Sequence, residues 1–428
     1  MTSTGRGIVR AAVAAAAVAA LAVPATSSAS RRADLQSTAL ISRSMDGKMP
    51  NGASTHPVIS GDKRFARAIA FESDASNLVR GDKNGFKDVF AVLRAGHIDN
   101  LGARWIPGRT VMVSRTASGR PSNGPSFAPA IDGGFDRRPS CVAFLSSASN
   151  LVGGDTNGVD DAFVTRLSGA NRKPRRLLPG GHQAVSPVTA VTVSQDCKAV
   201  AFVSGGKLYA KRGGGKPRLV QAPGVAADPS FSVGRRRDLV FGAAGGVYLL
   251  KQGARRPRLV APGGSNPVYN DIVRQVVAYE RPVGGHMQIA ARDIGRGERI
   301  ISSRGGDLGN GDSRDPVIGN TGHYITFETD ATNLGVNANR RAGDDNGMPD
   351  VYLYTDVRKI TLVQSVVEKA LPMDRGGQHP AMSFYANYIL FDATLPLNGP
   401  AADVLRTLVT PGAALGTPQI YMRYLGPV

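Results

Sequence analysis

The residues best equipped for chemistry come in a repeated pattern. D-x-N-G-x-x-D occurs as Asp82/Asn84/Asp88, Asp155/Asn157/Asp161 and Asp344/Asn346/Asp350. A hard cation such as calcium takes several oxygen ligands from a tightly turning loop, and glycine permits the turn. Each loop offers two carboxylates, fewer than an EF-hand supplies. The competing reading needs no ion. Asn-Gly is a favoured tight-turn pair, and Asp side chains satisfy loose backbone N–H groups. Calcium is the metal expected if these loops hold one.

A second set precedes the prolines that open apolar strands: His56, Gly124, Ser186, Asp228, Asn266, Asp315 and His379. If those strands line a ring, these residues circle one mouth of it, and Asp315, His379 and His56 fall on adjacent units. A carboxylate with two imidazoles could ligate a transition metal or act on a substrate as acid and base. The plainer reading is a hydrated polar mouth. No G-x-S-x-G elbow and no H-E-x-x-H motif occurs.

The elements that must position these residues are strands. Ile69–Phe90, Val142–Phe163 and, more loosely, Ile325–Tyr352 are copies of one another. Aligned on the aromatic that ends each "VAF" strand, the repeat recurs at Phe71, Phe144, Phe202, Phe241, Tyr279, Phe327 and Phe391. Four short strands per unit, separated by Gly, Pro, Asn and Asp turns, predict an all-β chain forming a single β-propeller over 39–428. Seven blades are expected, with six as the alternative because the fifth unit matches poorly. The seventh unit lacks a fourth strand of its own. Thr38–Arg43 (TALISR) is similar to Thr110–Arg115 (TVMVSR), so an N-terminal strand is expected to complete the last blade, which removes free sheet edges. Residues 401–409 are the best helix candidate.

The repeat resembles the PD40, or WD40-like, repeat of TolB-like propellers, roughly P-x-hydrophobic-S, then (I/V)AF, then D-(I/V)-(Y/F). Pro57, Phe71, Asp88 and Phe90 carry it in unit one, and Pro125, Phe144, Asp161 and Phe163 in unit two. The resemblance covers nearly all of 39–425. It implies a propeller and leaves function open, because the repeat also builds peptidase propellers and some lyases. The N-terminal α/β domain of TolB has no counterpart here, and no C-terminal hydrolase domain is expected.

Composition bears on address and partners. Arg6 and Arg10 precede an Ala/Val/Leu run over 11–23, with small residues up to 29. This predicts a secretory signal peptide over 1–29, a short linker over 30–38 and a secreted or extracytoplasmic protein. The run is far short of the roughly 20 residues a bilayer needs, so the mature chain is expected to hold no transmembrane segment. The sequence has 52 Lys+Arg against 33 Asp+Glu, a net charge of +19, which favours anionic partners. Basic runs at 172–176, 211–218 and 251–258 fall in the last hairpins of units two to four, and should form one strip on the rim. Such a strip binds anionic polymer in a salt-dependent way. Aromatics for stacking bases are missing there, which disfavours nucleic acid. Cys141 and Cys197 could form a disulfide in an oxidising compartment, and the sequence leaves that open.

Loops after the second strand are long in units six, seven, one and two and short in three, four and five. They build up one sector of the ring, and loops on a rigid scaffold carry function. The expected function is a secreted, non-catalytic binding scaffold engaging a protein or an anionic glycan. The alternative is a carbohydrate-active lyase or hydrolase with a metal at the channel mouth, using His56, Asp315 and His379.

Overall fold

The computed structural model describes residues 38–425 except 63–64, 97–104, 135–136, 169–171, 235, 320–321, 335–346, 356–359, 364–365, 368–370, 373–375 and 395–415. The expected signal peptide, most of the linker and the helix candidate at 401–409 lie outside these residues. So do Asp344 and Asn346.

Seven four-stranded antiparallel sheets follow one another along the chain. Blade one is Ser54–Ile59, Ala68–Ser73, Asp88–Arg94 and Pro107–Met112. Blades two to six repeat this order, and the protein is a seven-bladed β-propeller. Among the described residues there is no α-helix, only a 3-10 turn at Pro179–Gly181. No described helix is long and apolar enough to cross a membrane.

Second strands are buried on both sides because each blade is covered by two others. Ala68–Ser73, Cys141–Ser146 and Ala199–Ser204 are buried at every residue. The "VAF" aromatic lies opposite an aromatic of the third strand. Phe71 stacks on Phe90 at 6.1 Å, Phe144 on Phe163 at 5.7 Å and Phe391 on Tyr421 at 6.2 Å. Small residues of the preceding blade receive these pairs. Phe144 and Phe163 share a core with Ala68, Ala70 and Ala91. Large-against-small packing of this kind fills the space between blades without voids. Each buried Phe contributes about 1.5–3 kcal/mol through loss of apolar surface to water. The fifth blade is complete, but Tyr279 faces Ala290 rather than an aromatic. That missing ring is why its repeat is hard to see.

Thr38–Leu40 pairs antiparallel with Pro418–Tyr424, so the N-terminal strand completes blade seven. The seam continues past it. Ser42 Oγ donates to Gln419 Oε1 at 2.9 Å and accepts from the Ile420 N–H at 3.0 Å. Cys141 and Cys197 form a disulfide, with Cα atoms 6.2 Å apart, joining blades two and three.

Candidate functional site

The innermost strand of every blade carries a bulge near its start. At six of these bulges sit His56, Ala128, Asp228, Asn266, Asp315 and His379, with φ between 43° and 52°. A left-handed backbone suits Asn, Asp and His better than most non-glycine residues, and bulges use it. The residue types that look chemical in the sequence thus have a conformational reason first.

Five of the seven expected mouth residues are at this position. Gly124 and Ser186 are not. Blade two places Ala128, before Pro129, at the bulge, four residues beyond Gly124. In blade three the register breaks between Val188, paired with Ser204, and Ala190, paired with Val203, so Thr189 is the unpaired residue there. The inner-strand prolines are not equivalent across blades, so counting from each proline misplaces two units. The polar mouth spans blades four to seven and one.

A ring of acids stands behind the bulges. Asp392 Oδ2 accepts from the His56 N–H at 2.9 Å, and Glu72 Oε2 from the Ala128 N–H at 2.8 Å. Glu280 Oε1 accepts from the Asp315 N–H at 2.9 Å, and Glu328 Oε2 from the His379 N–H at 3.1 Å. Each acid lies on the second strand of one blade and latches the bulge of the next. The signal was present in the sequence as an acid directly after the aromatic: Phe71-Glu72, Tyr279-Glu280, Phe327-Glu328 and Phe391-Asp392. Blades two, three and four have Leu145, Val203 and Gly242 there.

His56 and His379 stack with ring centroids 3.8 Å apart. His379 Nδ1 lies 2.8 Å from Asp392 Oδ2, and His56 Nδ1 lies 3.3 Å from Glu72 Oε1. His56, His379 and Asp392 bring one ligand atom each within 4.8 Å of one another. The carboxylate that meets the two imidazoles is therefore Asp392. Asp315, expected in that role, accepts instead from the Asn266 amide at 2.9 Å.

Charge at the mouth is uneven. Burial raises the Glu72 carboxyl, but bonds from His56, the Ala128 N–H and Lys87 outweigh it and hold the pKa at about 2. Burial pushes Glu328 above its usual value, and the charge of Asp315 adds to the push against the bond from the His379 N–H. Asp228 and Glu280 are raised mainly by burial too, with Asp315 adding. For His379 burial works downward, yet Asp392, Glu328 and Asp315 carry it above its usual value. Below the mouth the channel turns apolar, a cavity of about 260 Å³ walled by residues such as Val58, Phe231, Val268, Val317 and Met382.

The D-x-N-G-x-x-D loops have a different occupation. In blade two Arg176 lies 2.5 Å from Asp155 Oδ1 and 3.1 Å from Asp161 Oδ2, so the protein supplies the cation between them. Asn157 and Asn84 direct their NH₂ groups, not their carbonyl oxygens, at Asp161 and Asp88. Asp88 also accepts from Ser114 Oγ at 2.5 Å and Ser122 Oγ at 3.0 Å. Asp82 is pushed to about 6 by burial and by the charge of Asp88. Blade six has Asp350 buried, its two partners lying outside the described residues. A calcium ion in blade two would have to displace a guanidinium. The Ala-x-x-Leu that precedes each loop plugs the core, with Ala75, Leu78, Ala148, Leu151, Ala331 and Leu334 all buried.

On the rim, a groove of about 320 Å³ between blades two and three is lined by Arg175, Arg176, Lys198 and Lys211, with backbone from Gly213 and Gly214. Arg175, Lys198, Lys216 and Arg218 are exposed, and no ion pair among the described residues engages them or Lys211.

The chain matches no protein-family model and no curated protein. Among solved structures it is similar to the β-propeller domain of the Trilobed protease from Pyrococcus furiosus, at 10% identity over 81% of this chain and 91% of that one, TM-score 0.47. It is similar to a putative TolB from Agrobacterium tumefaciens, at 13% identity over 74% and 93%, TM-score 0.38. It is also similar to an oligogalacturonate lyase in complex with manganese, at 10% identity over 67% and 86%, TM-score 0.40. Likenesses of this size assign no activity to this chain.

Proposed function

We propose that the protein is an extracytoplasmic, TolB-like binding scaffold that engages an anionic envelope glycan without turning it over. The observation that carries this reading is the basic groove between blades two and three. Several of its cations have no acid partner among the described residues. A solvent-open groove lined by Lys and Arg attracts anionic polymer by releasing its counterions, without needing a sequence-specific pocket. The disulfide supports export, because such bonds persist in oxidising compartments. The mouth acids support a non-catalytic role. Glu72, Glu280, Glu328 and Asp392 are already engaged by backbone N–H groups of the next blade.

The test is incubation with anionic polysaccharides, such as polygalacturonate and wall teichoic acid, following retention and product together. Salt-sensitive retention with unchanged polymer length is expected. No retention at low salt on any of them would overturn the reading. A second reading, a carbohydrate-active lyase or hydrolase, draws on the meeting of His56, His379 and Asp392. Shortened or unsaturated products that vanish in His379→Ala would favour it over the scaffold.

A further inference from the structure

We propose that His56, His379 and Asp392 bind a first-row divalent transition ion of the zinc class, and that this ion clasps blade seven to blade one where the ring closes. The ligand set fits the ion. Two imidazoles and one carboxylate match the three-ligand sites zinc uses when a fourth position is left to water or a ligand. Hard cations such as calcium prefer all-oxygen cages, and the paired imidazoles select against them.

The geometry is prepared on four counts. The donor atoms already lie within 4.8 Å of one another, so a modest contraction brings them to the separations of a tetrahedral shell. Both histidines stand at left-handed bulges, φ 52° and 49°, whose N–H groups are pinned by Asp392 and Glu328. Their backbones therefore need little rearrangement when an ion arrives. Glu72 lies 3.3 Å from His56 Nδ1. A carboxylate behind a metal-bound imidazole orients the ring and raises its basicity. The site also opens outward, with the His56 side chain half exposed at 50%, which gives an ion an entry path.

The position says what the ion does. His56 belongs to the first blade in the sequence, and His379 and Asp392 to the last. Their contact is where a propeller opens if it opens at all. An ion that binds only the closed ring stabilises it by mass action. Asp392 already joins the two blades through the His56 N–H, and the ion adds side-chain bonds across the same seam.

The experiment strips the protein with EDTA, removes the chelator, and titrates Zn²⁺, Co²⁺ and Ca²⁺ with calorimetry and thermal melting in parallel. Expected are one equivalent of Zn²⁺ or Co²⁺ per chain, a higher melting midpoint, and no response to Ca²⁺. Co²⁺ should give visible d–d bands of a nitrogen/oxygen site. His56→Ala and His379→Gln should abolish both binding and bands. Glu72→Gln, which keeps an oxygen for the Ala128 N–H, should weaken binding about 10- to 100-fold. His286→Ala, remote from the seam, should leave binding unchanged. A folded wild-type protein that takes up neither Zn²⁺ nor Co²⁺, or binds either equally well without His56 and His379, overturns the proposal. Binding that does not raise the midpoint overturns the clasp alone. No glycan is present in this experiment, so its failure leaves the scaffold reading standing, and the reverse also holds.

Discussion

Glu72 and Glu328 accept the same kind of bond from the next blade, yet their surroundings pull them in opposite directions. Glu72 has His56 and Lys87 beside it and is held at about 2. Glu328 faces Asp315 and is raised by burial. Replacing Glu328 by Ala leaves the His379 N–H without its acceptor, and an unsatisfied buried donor costs about 1–3 kcal/mol. The expected result is a lower urea midpoint for Glu328→Ala than for Glu328→Gln, whose amide oxygen can still accept. Asp132 offers a pH-dependent counterpart away from the mouth. Burial pushes it to about 6, although it accepts from the Ser140 and Cys141 N–H groups and from Ser140 Oγ. An unfolded Asp titrates near 3.9, so between about pH 4 and 6 the folded chain holds the extra proton. This group's stabilising contribution is complete below about pH 4 and is lost as pH rises through about 6. Wild-type melting should therefore fall more steeply than that of Asp132→Asn between about pH 4 and 6 and run parallel to it above that. Parallel melting curves would remove Asp132 as the source.

The repeated strand explains which parts of the molecule can be read from the sequence. The aromatic near the end of the second strand must fill the gap between blades, so its place on that strand is fixed by packing and survives in every unit, although loops make the intervals between units unequal. The number of blades and the N-terminal closing strand follow from it. Bulge positions do not, because proline is tolerated at several places along an innermost strand. Pro125 and Pro187 precede their strands' bulges, whereas Pro57 and Pro316 lie within them. The latching acids are hard to read because they occur in four units only, and in isolation look like the polar half of a strand alternation. Asp392 is hidden for that reason, whereas Asp315 stands out because it precedes an inner-strand proline on the blade next to that of His379. Element-level closure is testable at both ends. Leu40 is 2% exposed and packs in the blade-seven core. Leu40→Asp should lower the melting midpoint strongly, because burying an unpaired charge adds to the lost apolar contact. The disulfide spans a sequence separation of 56, for which the chain-entropy model gives about 4 kcal/mol. A double Cys→Ser variant should melt markedly lower, and by the same amount as wild type in reductant. A wild type indifferent to reductant would contradict the bond's contribution.

At the scale of the whole molecule, charge is sorted between two surfaces despite the net +19. The mouth gathers Glu72, Asp228, Glu280, Asp315, Glu328 and Asp392, while the rim of blades two to four carries runs of Lys and Arg. An anionic polymer is repelled by the first and drawn to the second, so its attachment point is set by electrostatics before any fit. Each released counterion steepens the salt dependence of binding by roughly one in log K against log salt. Arg175→Glu, Lys198→Glu and Lys211→Glu remove three groove cations that take no part in the core. Combined, they should reduce that slope by roughly three and weaken retention at low salt by far more than at high salt. The same reversal made on blade five, for example at the exposed Arg296, should shift affinity weakly, because long-range field is screened within about 10 Å at ordinary ionic strength. If instead every reversal weakens binding equally, wherever it is placed, net charge alone holds the polymer. The groove between blades two and three would then be a by-product of an arginine-rich chain rather than its point of contact.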